Sequence, residues 1–363
     1  MGSPLSRALA LESSDRLLVL AAHPDDESAA TGGLLQHALA AGSPTLLVFF
    51  TDGDNNPWAQ RATELRWRIT APDRARFAVR RRAEARRALD RLGASESATS
   101  FLGFPDQGVT DLVLRGNEVA MRTLTELIVE WRPTVAVGPS LLDLHPDHSA
   151  LGMMLSFALE GLPGAPGGCT HLGYLVHNPA LLARPEGSTG LSLSDEQRSC
   201  KRAAIACHRT QLVLRSTWLL SFARREERFW PAESPTGLAR HPVRSATQSG
   251  GFLEIVIASR NLLRAHGART VCLVGGSSPG SPRLVVGLPP RDGAVVLRHP
   301  RTGTTVGEGE FRGRNGHGYL RIPGELLAGS TRLFAKVEHA FGFFDEAGWK
   351  ELFPGTQEKN LRT

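Results

Sequence analysis

The stretch AAHPDDES, Ala21 to Ser28, follows the apolar run Leu17 to Ala22 and sets His23, Asp25 and Asp26 within four positions. A short apolar run of this kind, followed by a segment with helical spacing, reads as a buried strand leading into a helix. The strand end then carries two adjacent carboxylates and an imidazole. In an open α/β sheet, ligands bind outside the carboxyl ends of the strands, so this is where chemistry is expected. A second motif, HPDH at His145 to His148, comes a short link after another apolar run, Thr134 to Ser140. Two motifs distant in sequence can thus meet at one sheet edge. His, Asp and His are the ligand types of a catalytic zinc site with three protein ligands and an open position for water.

Spacing within the motifs suggests roles. His23 and Asp26 stand three apart around Pro24, close enough to hold one ion, which leaves Asp25 directed elsewhere in the same cavity. A free carboxylate beside a metal ion and its water is a general base, and the nearby cation keeps it ionised. In HPDH one histidine can ligate while the other, His145 or His148, faces the substrate as acid or oxyanion stabiliser, and Asp147 is available to orient an imidazole. Taken singly, either His-Pro-Asp is as readily a loop whose Asp caps the next helix. Their pairing after two strands of one sheet favours the chemical reading.

The first two-thirds of the chain alternates strand and helix, the pattern of a Rossmann-like, mostly parallel sheet with helices on both faces. GGLLQHALAAG (Gly32 to Gly42) has helical spacing and ends on glycine, and TLLVFFTDG (Thr45 to Gly53) is a second apolar run. The helix FAVRRRAEARRALDRLG (Phe77 to Gly93), the strand TSFLGFPD (Thr99 to Asp106) and a helix stopped by Pro133 follow. GYLVHNP (Gly173 to Pro179) reads as a strand, and the segment from Ser194 to Gln211 as one helix capped by Ser194. Pro, Ser and Gly crowd the stretch from Pro231 to Gly251, which marks a boundary. Beyond a helix-like stretch around Arg260 to Ala265, RLVVGLP, AVVLRHP, GYLRIP and RLFAKVEH are short runs between Gly and Pro turns. They predict a smaller β-rich, sandwich-like domain. The expected division is 1–245, catalytic, and 246–363, accessory.

The chain has 363 residues, 41% of them hydrophobic and 21% charged, and a formal net charge of +6. That is an ordinary globular composition, long enough for two domains. Eleven arginines fall between Arg61 and Arg91 against four acids. Such a run is more often a solvated helix face than a binding surface, although an anionic ligand or lipid surface would suit it. Nucleic acid is not expected, because only Trp67 and Phe77 interleave the run and no finger or helix-turn-helix pattern accompanies it. Cys169, Cys200, Cys207 and Cys272 form no C-x-x-C pair and read as reduced thiols. No apolar h-region or membrane-spanning window is present, which predicts a cytoplasmic protein and leaves peripheral membrane contact open.

AHPDDE followed by HPDH resembles the zinc-dependent de-N-acetylases of the LmbE-like or PIG-L superfamily, which remove acyl groups from N-acylated amino sugars. The likeness extends through TDGD (Thr51 to Asp54), RRAEA (Arg81 to Ala85), LGFPD (Leu102 to Asp106) and KRAAIACHRTQ (Lys201 to Gln211), and ends near Trp230. The resemblance implies that His23, Asp26 and His148 hold the metal and Asp25 activates water. It also implies that His145 is the protonated partner of the tetrahedral intermediate and leaving amine, and that Arg81 and Asp106 contact the sugar or its substituent. Zn2+ is the implied ion, and a His, Asp, His set also accepts Fe2+ or Co2+. The implied partner is an N-acylated amino sugar, phosphorylated or lipid-linked if the arginine run serves it, and assembly as a homo-oligomer is compatible with the sequence. His208 and Gln211 match the family's later helix but fit packing against the sheet equally well. An amidase acting on a sugar-thiol conjugate, and a glycan-binding module with a vestigial metal site, are the alternatives. Phe341 to Trp349, FGFFDEAGW, fits a glycan-stacking surface, although aromatics at the end of a small β domain are more often core.

Overall fold

A computed structural model of the chain describes residues 9–94, 99–160, 162, 168–184, 186–232, 241–258, 269–278, 280–330, 332–339 and 342–353. The chain divides into two compact units: Met1–Val109, Thr125–Ser140 and Leu159–Ala232 form the first, and Thr110–Leu124, Leu141–Ala158 and Glu233–Thr363 form the second. The amino-terminal elements are β1 (Leu17–Ala21), α1 (Asp26–Ala41), β2 (Thr45–Thr51), α2 (Pro57–Glu64), α3 (Ala71–Leu92), β3 (Thr99–Phe104), α4 (Val109–Leu114), α5 (Glu118–Trp131) and β4 (Val135–Pro139). They continue with α6 (Pro146–Glu160), β5 (Thr170–Tyr174), α7 (Pro179–Leu182), β6 (Thr189–Ser192), α8 (Asp195–Ile205), α9 (Arg209–Leu220) and β7 (Glu226–Pro231).

In the first unit the strand order is β3-β2-β1-β4-β5-β7-β6. β3, β2, β1, β4 and β5 run parallel, and β7 and β6 add an antiparallel edge. Leu17 pairs with Thr45 on one side and Val135 on the other, so the chain order reverses across β1 and β4. That reversal is the switch point at which open α/β sheets leave a crevice. Leu17, Val19 and Ala21 join Leu34, Ala85, Leu89, Ile205 and Phe229 in one core, while Leu18 and Leu20 on the opposite face are equally buried. Burial of both faces explains why β1 reads as an unbroken apolar run.

Several elements differ from their sequence reading for physical reasons. α1 begins at Asp26 rather than Gly32, so the last two residues of HPDDE open its first turn with Asp25 at the N-cap, and it ends where expected on Gly42 in the left-handed conformation. Gly33 inside α1 is required by close approach: a Cβ there would lie 2.3 Å from Leu193 Cδ2. Beside it, Glu227 accepts the Gly33 and Leu34 N–H groups (2.6 and 2.9 Å) and pairs with buried Lys201 at 2.5 Å. α3 starts at Ala71, six residues before Phe77, because the Asp73 carboxylate accepts the Thr70 N–H at 2.9 Å and caps the turn. The single helix expected from Ser194 to Gln211 is two helices: α8 stops at Ile205, and the Thr210 N–H that opens α9 is taken by Glu84 at 3.1 Å. β5 ends at Tyr174, whose carbonyl accepts the Ser140 N–H at 2.8 Å as the last bond of its ladder with β4.

The arginine run is partly consumed inside the fold. Arg81 is buried, Arg82 grips Asp52, Arg76 pairs with Glu64 and Asp73, and Arg86 lies over the Phe101 ring. Among the described residues all four cysteines are free, and no helix is long and apolar enough to cross a membrane.

The second unit is built on β8 (Val243–Ser249), β9 (Phe252–Ala258), β10 (Arg269–Val274), β11 (Arg283–Leu288), β12 (Gly293–Arg298), β13 (Thr305–Arg314), β14 (His317–Pro323), β15 (Phe334–His339) and β16 (Lys350–Glu351). These form one antiparallel sheet ordered β16-β15-β10-β11-β12-β13-β14-β9-β8. Val243, Ile255, Val271, Val286, Leu297, Leu320 and Val337 share a single core, so the sheet curls around its own interior instead of splitting into two. It begins two residues before the expected boundary at 245, and the helix-like stretch around Arg260 to Ala265 lies outside the described residues. The unit also takes in most of α6: Phe157 packs edge-on against Phe334, their centroids 5.2 Å apart.

Candidate active site

At the end of β1 the chain is pinned before it turns. Ala22 O accepts the Thr51 N–H (3.1 Å) and hydroxyl (2.8 Å), and the His23 N–H donates to Asp26 Oδ2 at 2.9 Å. The same oxygen lies 3.7 Å from His23 Nδ1. On the other side of the ring, His23 Nε2 is 3.1 Å from Asp106 Oδ1. Burial would raise the Asp106 carboxyl pKa, but hydrogen bonding and charge from His23 outweigh it and lower the value. The Asn55 N–H adds a bond at 2.6 Å. Asp106, expected to contact a sugar, is therefore placed against the imidazole itself.

Asp25 sits at φ 137°, a backbone state that a non-glycine residue seldom adopts. Two groups hold it there. Its N–H donates to Glu27 Oε2 at 2.8 Å, and its Oδ2 lies 3.3 Å from Arg81 Nη2. Burial pushes the Asp25 carboxyl up to about 6, with the Arg81 guanidinium pulling against it. Arg81 reaches this position from α3, donating to Gly53 O at 2.7 Å and to Pro24 O. Gly53, at φ +61°, is required because a Cβ there would lie 1.8 Å from Arg81 Nη1. Arg81 is 3% exposed, so the structure places it behind Asp25 as a brace.

A further layer lies beneath. Glu27 Oε1 accepts from the Ser28 hydroxyl (2.7 Å) and meets His208 Nε2 at 2.8 Å. Burial alone would lower the His208 pKa, but the Glu27 carboxylate outweighs it and raises the value. Gln211 instead accepts from Asn56 Nδ2 at 3.1 Å.

In the second unit, the HPDH motif opens α6. Asp143 accepts the His145 N–H at 2.9 Å with one oxygen and faces His148 Nδ1 at 3.4 Å with the other. A carboxylate at Nδ1 fixes an imidazole so that Nε2 is the nitrogen presented outward, the usual outer support of a metal-ligating histidine. The Asp147 N–H donates to His145 Nδ1 at 3.2 Å, which puts the proton of the neutral ring on Nε2. The two imidazoles are 4.9 Å apart. Glu27 and Asp143 were not singled out as site residues from sequence, although Asp143, two before His145, matches the turn pattern in which an Asp accepts a nearby N–H. Phe343 and Phe344 of the aromatic segment lie edge-on to His145, at 4.9 and 5.9 Å.

Comparison with known proteins bears on this arrangement. Residues 18–159 match the sequence model of PIG-L, GlcNAc-PI de-N-acetylase. The chain is 31% identical over 145 residues to a 1D-myo-inositol 2-acetamido-2-deoxy-alpha-D-glucopyranoside deacetylase of Nocardia farcinica, covering 36% of this chain and 47% of that protein. It is 34% identical over 148 residues to the protein of the same description from Mycolicibacterium paratuberculosis, covering 37% and 47%. The chain thus spans about half the length of the curated relatives it matches. Among solved structures, an N,N'-diacetylchitobiose deacetylase from Pyrococcus horikoshii aligns at 18% identity and TM-score 0.47, covering 63% of this chain and 90% of that one. A 4-carboxy-2-hydroxymuconate hydratase from Pseudomonas putida aligns at 23% and 0.45, covering 58% and 82%. Residues 18–159, the stretch that matches the PIG-L sequence model, contain both histidine motifs.

Proposed function

We propose that this protein is a metal-dependent hydrolase that removes an N-acetyl or other N-acyl group from an amino sugar. The observation that carries the reading is Asp25: a buried carboxylate in a strained backbone, braced by Arg81 and Glu27, directly between His23 and Asp26. Strain of this kind persists where surrounding groups over-determine it, commonly at catalytic positions. The family match and the deacetylase descriptions of the curated relatives support the reaction class.

The donor chemistry fits a divalent ion. His23, Asp26 and Asp106 in the first unit, and His145, Asp147 and His148 in the second, are buried imidazole and carboxylate groups of the types that hold one. His23, Asp26 and His148 are the proposed ligands, with Asp143 supporting His148, and Zn2+ the proposed ion ahead of Fe2+ or Co2+. β1 and β4 are adjacent strands of one sheet, and each motif follows the carboxyl end of one of them. When bound, the ion supplies polarisation of water and of the acyl oxygen. Asp25 takes the proton of the attacking water, with Arg81 and Glu27 keeping its carboxylate in place. His145, carrying its proton on Nε2 and oriented by the Asp147 N–H, stabilises the tetrahedral oxyanion and protonates the departing amine. The products are a free amine and a carboxylate. Arg81 and Asp106 act in this scheme through Asp25 and His23, and any sugar contact they make is secondary. A phosphorylated or lipid-linked substrate would draw on the exposed arginines of α3, and a cytoplasmic setting suits the reduced thiols.

The test is amine and acetate release from N-acetylglucosamine derivatives by metal-reconstituted protein, beside Asp25→Asn at matched metal content. Wild-type turnover and a variant slower by at least about a hundredfold are expected. Equal rates, or an inert wild type across the panel, would overturn the assignment.

A further inference from the structure

The segment 208–211, HRTQ, ties three elements of the first unit together. His208 Nε2 meets Glu27 Oε1 of α1 at 2.8 Å and the Ser28 hydroxyl at 3.3 Å. The Thr210 N–H and hydroxyl donate to Glu84 of α3, and Gln211 Oε1 accepts from Asn56, the N-cap of α2. Each partner adjoins a group of the candidate site. Glu27 accepts the Asp25 N–H with its other oxygen, Glu84 stands about one helical turn beyond Arg81, and Asn56 follows Asn55, whose N–H bonds to Asp106.

Of these ties, the one made by His208 reaches furthest into the chemistry. Glu27 has no exposed surface, and a buried carboxylate is stable only where donors satisfy it. The Asp25 N–H, the Ser28 hydroxyl and His208 do so. The first two belong to the same turn of chain as Glu27 and move with it, so among the described residues His208 is the group that ties this carboxylate to another element. Nδ1 of His208 is buried with no hydrogen-bond partner among the described residues, a cost that an apolar ring of similar size would not carry. What the imidazole adds over such a ring is its bond to Glu27. Asp25, at φ 137°, keeps its conformation only while its neighbours over-determine it. We infer that His208 is a positioning residue for the proposed base: by fixing Glu27 it holds the Asp25 main chain in this conformation and so aims the Asp25 carboxylate. The part played in catalysis rests on the hydrolase reading above; the restraint itself rests on hydrogen bonds alone.

The test compares wild type with His208→Gln, whose amide N–H can take the place of Nε2, and His208→Asn, whose shorter side chain cannot reach Glu27. In metal-free protein, hydrogen exchange at the Asp25 amide is expected to quicken at least about tenfold in the asparagine variant, while the Gly33 and Leu34 amides, bonded to Glu227, keep wild-type rates. With metal-reconstituted protein and N-acetylglucosamine, kcat of the same variant is expected to fall by about ten- to a hundredfold, with KM and Zn2+ affinity within about twofold. The glutamine variant is expected to stay within about threefold of wild type on both readouts. Equal losses in both variants, faster exchange at Gly33 and Leu34 as well, or failure of both variants to fold would assign His208 to packing and overturn the inference. So would an Asp25 amide as protected in the asparagine variant as in wild type, or one that exchanges faster with kcat unchanged. If wild type is inert across the sugars, the exchange readout still decides: quickening confined to Asp25 keeps the restraint and sinks the hydrolase reading alone, and unchanged exchange sinks both.

Discussion

Asp143 shows how a side chain outside the motif letters governs one within them. One of its oxygens accepts the His145 N–H and the other faces His148 Nδ1 at 3.4 Å, so one carboxylate lies against both the main chain and the second imidazole of HPDH. Asp143→Asn keeps the volume and one acceptor but removes the charge facing His148. Its effect is expected in metal retention: a ten- to hundredfold weaker affinity by competition with a chelator, with the thermal midpoint of the metal-free protein little changed. Unaltered affinity would mean that His148 is not a ligand or that Asp143 does not orient it. His23, Asp25, Asp26, His145 and His148 could be named as candidates because reacting groups are of a few residue types at fixed spacing. Asp143, Glu27 and the bracing role of Arg81 were not, because their partners are set by tertiary contact and nothing in local spacing announces them.

The elements were legible in proportion to how locally their signals act. β1, β2 and β4 announced themselves by apolar runs, and the ends of α1 and α8 by Gly42 and Ser194. The break between α8 and α9 was hidden because it depends on Glu84 of a distant helix capturing the Thr210 N–H. The link between β8 and the 342–349 loop was equally hidden, and it yields a pH prediction. His241 Nδ1 accepts the Val243 N–H at 3.0 Å and lies 3.3 Å from Val243 O, while Nε2 meets Gly348 O at 3.1 Å; the bond from the Val243 N–H is one that only an unprotonated Nδ1 can accept. Burial pushes the pKa down to about 4; the Gly348 carbonyl opposes the fall, Lys350 adds to it, and Val243 O and Glu346 also oppose it. An unfolded histidine takes its proton near 6.5. Between pH 6.5 and about 4 the unfolded chain therefore binds a proton that the fold excludes. The stability tied to His241 is fully present above pH 6.5 and falls with pH through that window, by up to ~3 kcal/mol. His241→Gln, which can still donate to Gly348 O, should flatten this part of the pH dependence of thermal unfolding. The same slope in both proteins would exclude His241 as its origin.

At the scale of the whole molecule, the carboxy-terminal sheet does not behave as an appendage. The segments 110–124, 141–158 and 233–363 form one compact unit, so the sheet shares its packing with the helix that carries HPDH. Phe157 of α6 meets Phe334 of β15, Arg283 of β11 donates to Val113 O at 3.0 Å, and two N–H groups of the 342–349 loop bond to Leu141 O and Leu144 O. A chain ending at residue 240 would strip α6 of these partners. Exposing the Phe157 ring alone costs roughly 1.5–3 kcal/mol, and the Leu141 and Leu144 carbonyls lose their bonds to this loop. Such a truncate is expected to elute as aggregate on size exclusion, to be cut within 141–158 by limited proteolysis, and to lose at least about a hundredfold in turnover relative to the full chain. A monodisperse truncate with full turnover would show instead that the amino-terminal sheet and HPDH fold and act without the second sheet. The expected result makes the β-rich part a condition for an ordered HPDH segment, because the helix that carries the motif is packed within the same compact unit.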